Sequence, residues 1–179
     1  QSVSGAGKSA MEELAKQTAD LLSSREITPE AFSRQIAFNA IPQIDVFMDN
    51  DYTKEEMKMS WETKKIMGDD TILVNPTAVR VPVFFGHGEA IHIETRQPID
   101  AEEVKQLLAN APGVKVYETR EEFPTQVSSA SGNDEVHVGR IRNDITHPNG
   151  INMWVVSDNI RKGAATNSVQ IAETLVRDY

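Results

Sequence analysis

Four stretches of this sequence gather residue types that bind or move charge. Glu55, Lys58, Glu62 and Lys65 recur at i, i+3, i+7 and i+10, which is one face of a helix. Such a stripe is either a solvated row of ion pairs, each contributing about 0.2–0.5 kcal/mol, or a cleft wall where a lysine meets an anion. Spacing alone favours the ion-pair row. A second stretch reads Arg80-Val-Pro-Val-Phe-Phe-Gly-His-Gly-Glu89. With Val79, Val81 and Val83 turned toward a core, Arg80 is expected on the opposite face. His87 lies between two glycines, where a sharply bent backbone can bring an imidazole to a cleft mouth. A guanidinium grips a carboxylate through paired hydrogen bonds, and an imidazole moves protons near neutral pH. Taken singly, each reads equally as a strand-face arginine or a turn histidine in water. In the third stretch, Ser4-Gly5-Ala6-Gly7 precedes a helix whose first amides could hold the polar edge of a cofactor. It is not a GxGxxG fingerprint. In the fourth, Asp158-Asn159 before Gly163-Ala164-Ala165 puts a short amide at another helix entry, where an N-cap with small packing residues is the alternative. His92 and His137 sit inside alternating strands and read as structural, and His147 before Pro148 as a solvated turn residue. HExxH, CxxC, GxSxG and Walker patterns do not occur, and no metal is expected.

The elements that must position these residues follow from periodicity. Met11, Leu14, Ala15, Thr18, Leu21 and Leu22 mark an amphipathic helix. Residues 27–52 lose periodicity around Pro29, Pro42 and Asp49-Asn50-Asp51, predicting a long irregular segment of the kind often found at a site or interface. Thr53 and Glu56 form a capping box for a helix to about Met67, closed by Gly68. Ile72–Val74, Val79–Phe85 and Ala90–Glu94 read as strands. Asp100 opens a helix through Leu108 that Pro112-Gly113 stops, and Val114–Tyr117 is a short strand. Val136–Ile141 and Ile151–Val156 are stronger strands joined by Pro148-Asn149-Gly150, and a last helix lies within 159–179. Without regular βαβ alternation this order predicts an α+β fold, a mixed or antiparallel sheet with helices packed on one face.

Composition bounds the function. The 179 residues are 39% hydrophobic and 25% charged, ordinary for one folded domain or slightly more. Eighteen Lys and Arg against 27 Asp and Glu give a net charge of -9, which argues against a non-specific nucleic-acid binder. The absence of Cys excludes disulfides, cysteine-ligated metal centres and a cysteine nucleophile within these residues. No apolar run approaches the roughly 20 residues of a membrane span and no signal-peptide pattern occurs, so a cytoplasmic protein is expected. The chain opens on Gln1 rather than Met, which leads us to expect a piece of a longer protein.

Six ordered blocks carry a resemblance that runs nearly end to end: Gln1–Gly7, Phe38–Asp45, Tyr52–Lys58, Val79–Val83, Val138–Arg142, and Trp154–Asn159 continued by Lys162–Ala165. Together they resemble the C-terminal, catalytic and dimerisation half of the bacterial aspartate-β-semialdehyde dehydrogenase family. The resemblance implies a glyceraldehyde-3-phosphate-dehydrogenase-like C-terminal domain over residues 1–179, whose last helix would return to an N-terminal NADP domain. That domain and the nucleophilic cysteine are expected upstream of these residues. It implies NADPH-dependent reductive dephosphorylation of β-aspartyl phosphate through a cysteine thioester, in lysine, threonine, methionine and diaminopimelate biosynthesis.

It also implies roles for individual residues. Gln1 would orient the substrate beside the cysteine, and His87 would be the general acid/base. Arg80 would bind the α-carboxylate, Lys58 the phosphate and Glu55 the amino group. Ser4 and Gly5 would touch NADP, and Asn159 its nicotinamide carboxamide, with most cofactor contacts coming from the missing domain. Where the family often has Cys before Val79-Arg80, this chain has Ala78. The implied partners are a small-molecule substrate and a second copy of the chain, with neither nucleic acid nor membrane. The expectation is that the six polar groups converge on one pocket that only a thiol from elsewhere completes, so the piece alone is inactive. The alternative is a non-catalytic dimerisation module or paralogue. Retention of Gln1, Glu55, Lys58, Arg80, His87 and Asn159 favours the enzyme. N-acetyl-γ-glutamyl-phosphate reductase shares the chemistry, but its blocks match far less well.

Overall fold

The computed structural model describes residues 1–178 and divides into two compact units, Gln1–Phe84 and Phe85 onward. Tyr179, which ends the predicted last helix, lies outside the described residues.

In the first unit a 3₁₀ turn, Val3–Ala6, leads through Gly7 (φ 91°) into helix α1, Lys8–Leu22. Ala10 and Leu14, one turn apart on α1, pack with Val3, Ile36, Ala37 and Ile41 into a buried cluster. Three members of that cluster come from the irregular segment, whose backbone amides therefore need partners away from water. Gln17 supplies them: its buried side-chain oxygen accepts from Ile36 N at 2.9 Å and Ala37 N at 3.1 Å. At the exposed start of the segment, Glu13 accepts from Glu30 N and Ala31 N. Between α1 and α2, Lys54–Met67, there is no helix or strand, only single bridges at Ile41 and Phe47. The capping box at the start of α2 forms in both directions, and Gly68 closes the helix in the left-handed region at φ 64°.

The predicted strands at Ile72–Val74 and Val79–Phe85 do not form. Their β-branched residues suit a sheet, but no strand runs alongside for long. Arg80 makes one two-way bridge with Ile41, while Val81 and Val83 use the chain start.

In the second unit the strands are β1, His87–Glu94, β2, Val114–Val116, β3, Val136–Asn143, and β4, Gly150–Ser157. They form one sheet in the order β1-β4-β3-β2, antiparallel except for the parallel β2/β3 pair. With the flanking helices this is the expected α+β fold with a mixed sheet. Strand β1 begins at His87, three residues earlier than its alternation suggested. Helix α3, Ala101–Ala109, starts at Asp100, whose side chain accepts from Glu102 N and Glu103 N. Its Val104 and Leu108 pack with Ile91, Val138, Ile151 and Met153 on one face of the sheet. The register puts Gly88, Ala90, His137, Gly139 and Trp154 on the other face. A π-helical turn, Gln126–Ala130, lies against that face: a Cβ on Gly88 or Gly139 would meet Trp154 and Gln126, or Pro124. The chain ends in a second π-helical turn, Arg161–Ala165, and helix α4, Thr166–Asp178. No helix of the described residues is long and apolar enough to cross a membrane.

Candidate active site

The first unit assembles its polar group from three separate segments. The chain start runs beside residues 79–84: Gln1 N donates to Val79 O at 2.6 Å, Val81 N to Gln1 O at 3.0 Å, and Val3 N to Val83 O at 2.9 Å. On the other side, Arg80 exchanges backbone bonds with Ile41 at 2.8 and 2.9 Å. Arg80 is thus held between two segments, and its side chain is 6% exposed with Nη1 donating to Ser2 O at 2.7 Å. This corrects the expectation from alternation, which turned Arg80 away from the core. The period-2 rule presumes a continuous strand, and here there is a single bridge.

Helix α2 brings two adjacent glutamates with different tasks. The Glu56 carboxylate is buried and accepts from Thr53 N at 2.7 Å and Ala78 N at 2.8 Å, tying the start of α2 to the segment that carries Arg80. These backbone donors, Thr53 first, hold its carboxyl below the usual range. Glu55 accepts from Gln1 Nε2 at 2.8 Å through one oxygen and from Lys58 Nζ at 3.0 Å through the other. Burial opposes its charge, yet hydrogen bonds from Gln1 and Lys58 and the positive charges of Lys58 and Arg80 outweigh it, so Glu55 stays ionised below its ordinary value. The same ion pair raises Lys58. Burial lowers Arg80, and the Glu55 charge opposes that. The polar stripe is therefore more than a solvated row at its first two members: Glu55 and Lys58 join Gln1, with Arg80 close enough to share their field.

In the second unit His87 opens β1 opposite Ser157, the last residue of β4, and Asn159 follows two positions later. Asn159 Oδ1 accepts from Gly86 N at 2.9 Å, so the predicted cofactor residue and the predicted acid/base stand at one end of one strand pair. Asp158, buried, shapes this turn by accepting from Gly132 N at 2.8 Å, Ile160 N at 2.8 Å and Arg161 N at 2.9 Å. Burial pushes its carboxyl up, but those amides prevail and keep it ionised. The capping role weighed for Asp158-Asn159 thus falls to Asp158, leaving Asn159 to the Gly86 peptide.

Of the eight residues singled out from sequence, Gln1, Ser4, Gly5, Glu55, Lys58 and Arg80 belong to the first unit, and His87 and Asn159 to the second. The structure bonds Gln1, Glu55 and Lys58 to one another, while Arg80, held on the Ser2 carbonyl, feels the Glu55 charge without a bond to it. Ser4 Oγ lies 3.1 Å from Ser2 Oγ, and Gly5 is exposed in the 3₁₀ turn. Sequence reasoning missed Ser2, whose carbonyl holds the arginine, and the anchoring by Glu56 beyond its cap. It also missed Gln126, whose Nε2 donates to Gly86 O at 2.6 Å. The capping-box spacing flagged Glu56 only for its own helix, and a π-helical turn has no spacing signature to read.

Residues 1–162 match the family model described as semialdehyde dehydrogenase, dimerisation domain. An aspartate-semialdehyde dehydrogenase of Shewanella sp. (strain DB6705) is 66% identical over 179 residues, covering 100% of this chain and 53% of the relative. Aspartate-semialdehyde dehydrogenase 2 of Vibrio cholerae is 64% identical with the same coverage. Among solved structures, aspartate semialdehyde dehydrogenase II from Vibrio cholerae, complexed with ASA, superposes at a TM-score of 0.97 with 64% identity, over 100% of this chain and 53% of that one. The enzyme of Candida albicans, solved with NADP, matches at a TM-score of 0.64 with 30% identity, over 78% of this chain and 45% of that one. The chain spans about half the length of the curated relatives it matches.

Proposed function

Because the chain belongs to the semialdehyde dehydrogenase family, through its dimerisation domain, we propose that it is the C-terminal, catalytic and dimerising half of an aspartate-β-semialdehyde dehydrogenase. The reaction is reduction of β-aspartyl phosphate to the semialdehyde with release of phosphate, by way of a cysteine thioester. The chain holds no Cys, so by itself it is expected to turn nothing over. On this reading the product serves lysine, threonine, methionine and diaminopimelate synthesis in the cytoplasm.

The observation that carries the reading is the bonded group Gln1–Glu55–Lys58 with the buried Arg80 beside it. A substrate with an ammonium, a carboxylate and a phosphoryl group needs one anionic and two cationic partners, held rigidly. Glu55 would receive the ammonium, Arg80 the carboxylate through its planar fork, and Lys58 the phosphoryl oxygens. Gln1, fixed by Glu55, would orient the acyl group. His87 would take the proton from the attacking thiol and return one as the reaction proceeds.

Ser4, Gly5 and Asn159 are neutral donors and acceptors, groups that suit the carboxamide of a nicotinamide. Asn159 is oriented for such a task by its bond to Gly86 N. When bound, the cofactor in its reduced form, NADPH, would supply the hydride and leave as NADP⁺; the residues of this chain would hold only its nicotinamide end.

Residues 1–179 would form one catalytic and dimerisation domain, with α4 returning to the nucleotide-binding half. In support, α4 has no buried residue, and Val169, Leu175 and Val176 on it are exposed. A homodimer is supported by the family model, whose description is a dimerisation domain.

The test is steady-state kinetics on the full-length enzyme that carries this chain. Arg80→Leu should raise KM for the semialdehyde at least about 100-fold, since a charge-assisted paired contact is lost. His87→Asn should lower kcat by about 10²–10⁴-fold. A His87→Asn enzyme within threefold of wild-type kcat would refute the assignment.

A further inference from the structure

We propose that Gln126 is a positioning residue for His87, an inference that rests on the reading of His87 as the acid/base. His87 opens β1 opposite Ser157 and stands between two glycines, Gly86 and Gly88. Gly86 has φ 83°, outside strand geometry, and side chains take both its backbone polar groups. Asn159 Oδ1 accepts from its N–H at 2.9 Å, and Gln126 Nε2 donates to its carbonyl at 2.6 Å. The bend rests on the π-helical turn: a Cβ on Gly86 would stand 3.1 Å from both Ala130 Cβ and Gln126 O. On the far side of His87, a Cβ on Gly88 would meet the Trp154 ring at 2.8 Å and Gln126 Cδ at 3.3 Å. Gln126 therefore bonds the residue before His87 and borders the space that a side chain on the residue after it would need.

Gln126 is itself well fixed. It opens the π-helical turn, where Thr125 Oγ1 accepts from Ser128 N at 3.0 Å and Thr125 N donates to Ser129 Oγ at 3.1 Å. One residue earlier, Trp154 Nε1 donates to Pro124 O at 3.0 Å. A π-helical turn re-aims side chains relative to an ordinary helix, and such turns concentrate at functional sites. Here the re-aimed side chain reaches the carbonyl immediately before His87. Without that donor the peptide linking Gly86 to His87 loses the bond that sets its tilt, and the imidazole moves with it. A displacement of about 1 Å in a reacting group costs on the order of 10²-fold in rate.

Full-length enzyme carrying this chain is compared as wild type, Gln126→Met, Gln126→Glu and His87→Asn. Methionine keeps the length of glutamine and removes the donor. Glutamate can donate to Gly86 O only when protonated. Gln126→Met should lower kcat about 10- to 100-fold, leave KM for β-aspartyl semialdehyde within twofold, and move the acid limb of the kcat profile. Gln126→Glu should match that loss at pH 8 and recover toward wild type, as a ratio, as pH falls toward 5. Wild-type kcat and pH profile in Gln126→Met, with His87→Asn inactive, would overturn the role of Gln126 alone. An active His87→Asn enzyme would instead overturn the acid/base reading beneath it. If Gln126→Met fails to fold, Gln126→Glu decides: a ratio that stays flat with pH overturns the proposal.

Discussion

Replacing Glu56 by alanine should unfold the first unit more readily than any single change on the exposed face of α2. The Glu56 carboxylate satisfies Thr53 N and Ala78 N, on residues only 1% and 3% exposed, so water cannot take its place. Leaving a buried amide without a partner costs about 1–3 kcal/mol. Two such losses give about 2–6 kcal/mol, and part is returned because an ionised carboxylate no longer has to be buried. A net loss of about 2–4 kcal/mol is expected, with Glu56→Gln between the two because one acceptor oxygen survives.

The pH dependence has a definite sign. The folded carboxyl titrates below its ordinary value of 4.5, so its contribution is complete above that pH and is lost as pH falls through the folded value. Wild type and Glu56→Ala should therefore converge in acid. Trp61 lies on α2 and Trp154 on β4, so fluorotryptophan labelling gives one fluorine resonance for each unit. Urea unfolding read at the Trp61 resonance reports the first unit without assuming a single transition. A loss below about 0.5 kcal/mol, or a difference unchanged from pH 7 to pH 3, would refute the accounting.

Three further outcomes follow from the second unit and the assembly. Gly139→Ala sets a Cβ 2.5 Å from the Pro124 ring, and thermal unfolding should show a loss of about 1–3 kcal/mol unless that segment shifts. His137 is 3% exposed with Nε2 unpartnered among the described residues, and burial, assisted by Lys115, holds it below its ordinary 6.5. The unfolded chain therefore binds the proton first, so stability should drop as pH falls below about 6.5. His137→Phe should flatten that slope in pH-dependent urea titrations. Light scattering of the full-length enzyme should give the mass of a dimer at micromolar concentration, and a monomer would contradict the assembly we propose.

Much of the local structure was legible because it depends on neighbours in sequence. The Thr53–Glu56 box, Gly68 as a left-handed stop, Asp100 as a cap and the β3–β4 hairpin across Pro148-Asn149-Gly150 all involve residues within a few positions of one another. Six blocks in order, Tyr52–Lys58 and Val79–Val83 among them, carried the family, because so long a run of specific residue types is far more than any one local element requires. What failed was inference across distance. Residues 72–85 have strand-like composition, but a strand exists only where another backbone runs beside it in register; here Ile41 makes one isolated two-way bridge and Gln1 one pair of bonds, to Val79 and Val81.

The same division holds for the candidate site. Residue type and spacing singled out Glu55, Lys58, Arg80, His87 and Asn159 as able to do chemistry, but left each equally readable as structural; the resemblance of the surrounding blocks is what assigned them roles. Folding alone decided that Arg80 is buried on a carbonyl of Ser2, that Glu56 anchors two segments, and that a π-helical turn brings Gln126 to the peptide before His87. Those contacts span 78, 22 and 40 residues of chain, and no local pattern encodes which distant backbone group will be left needing a partner.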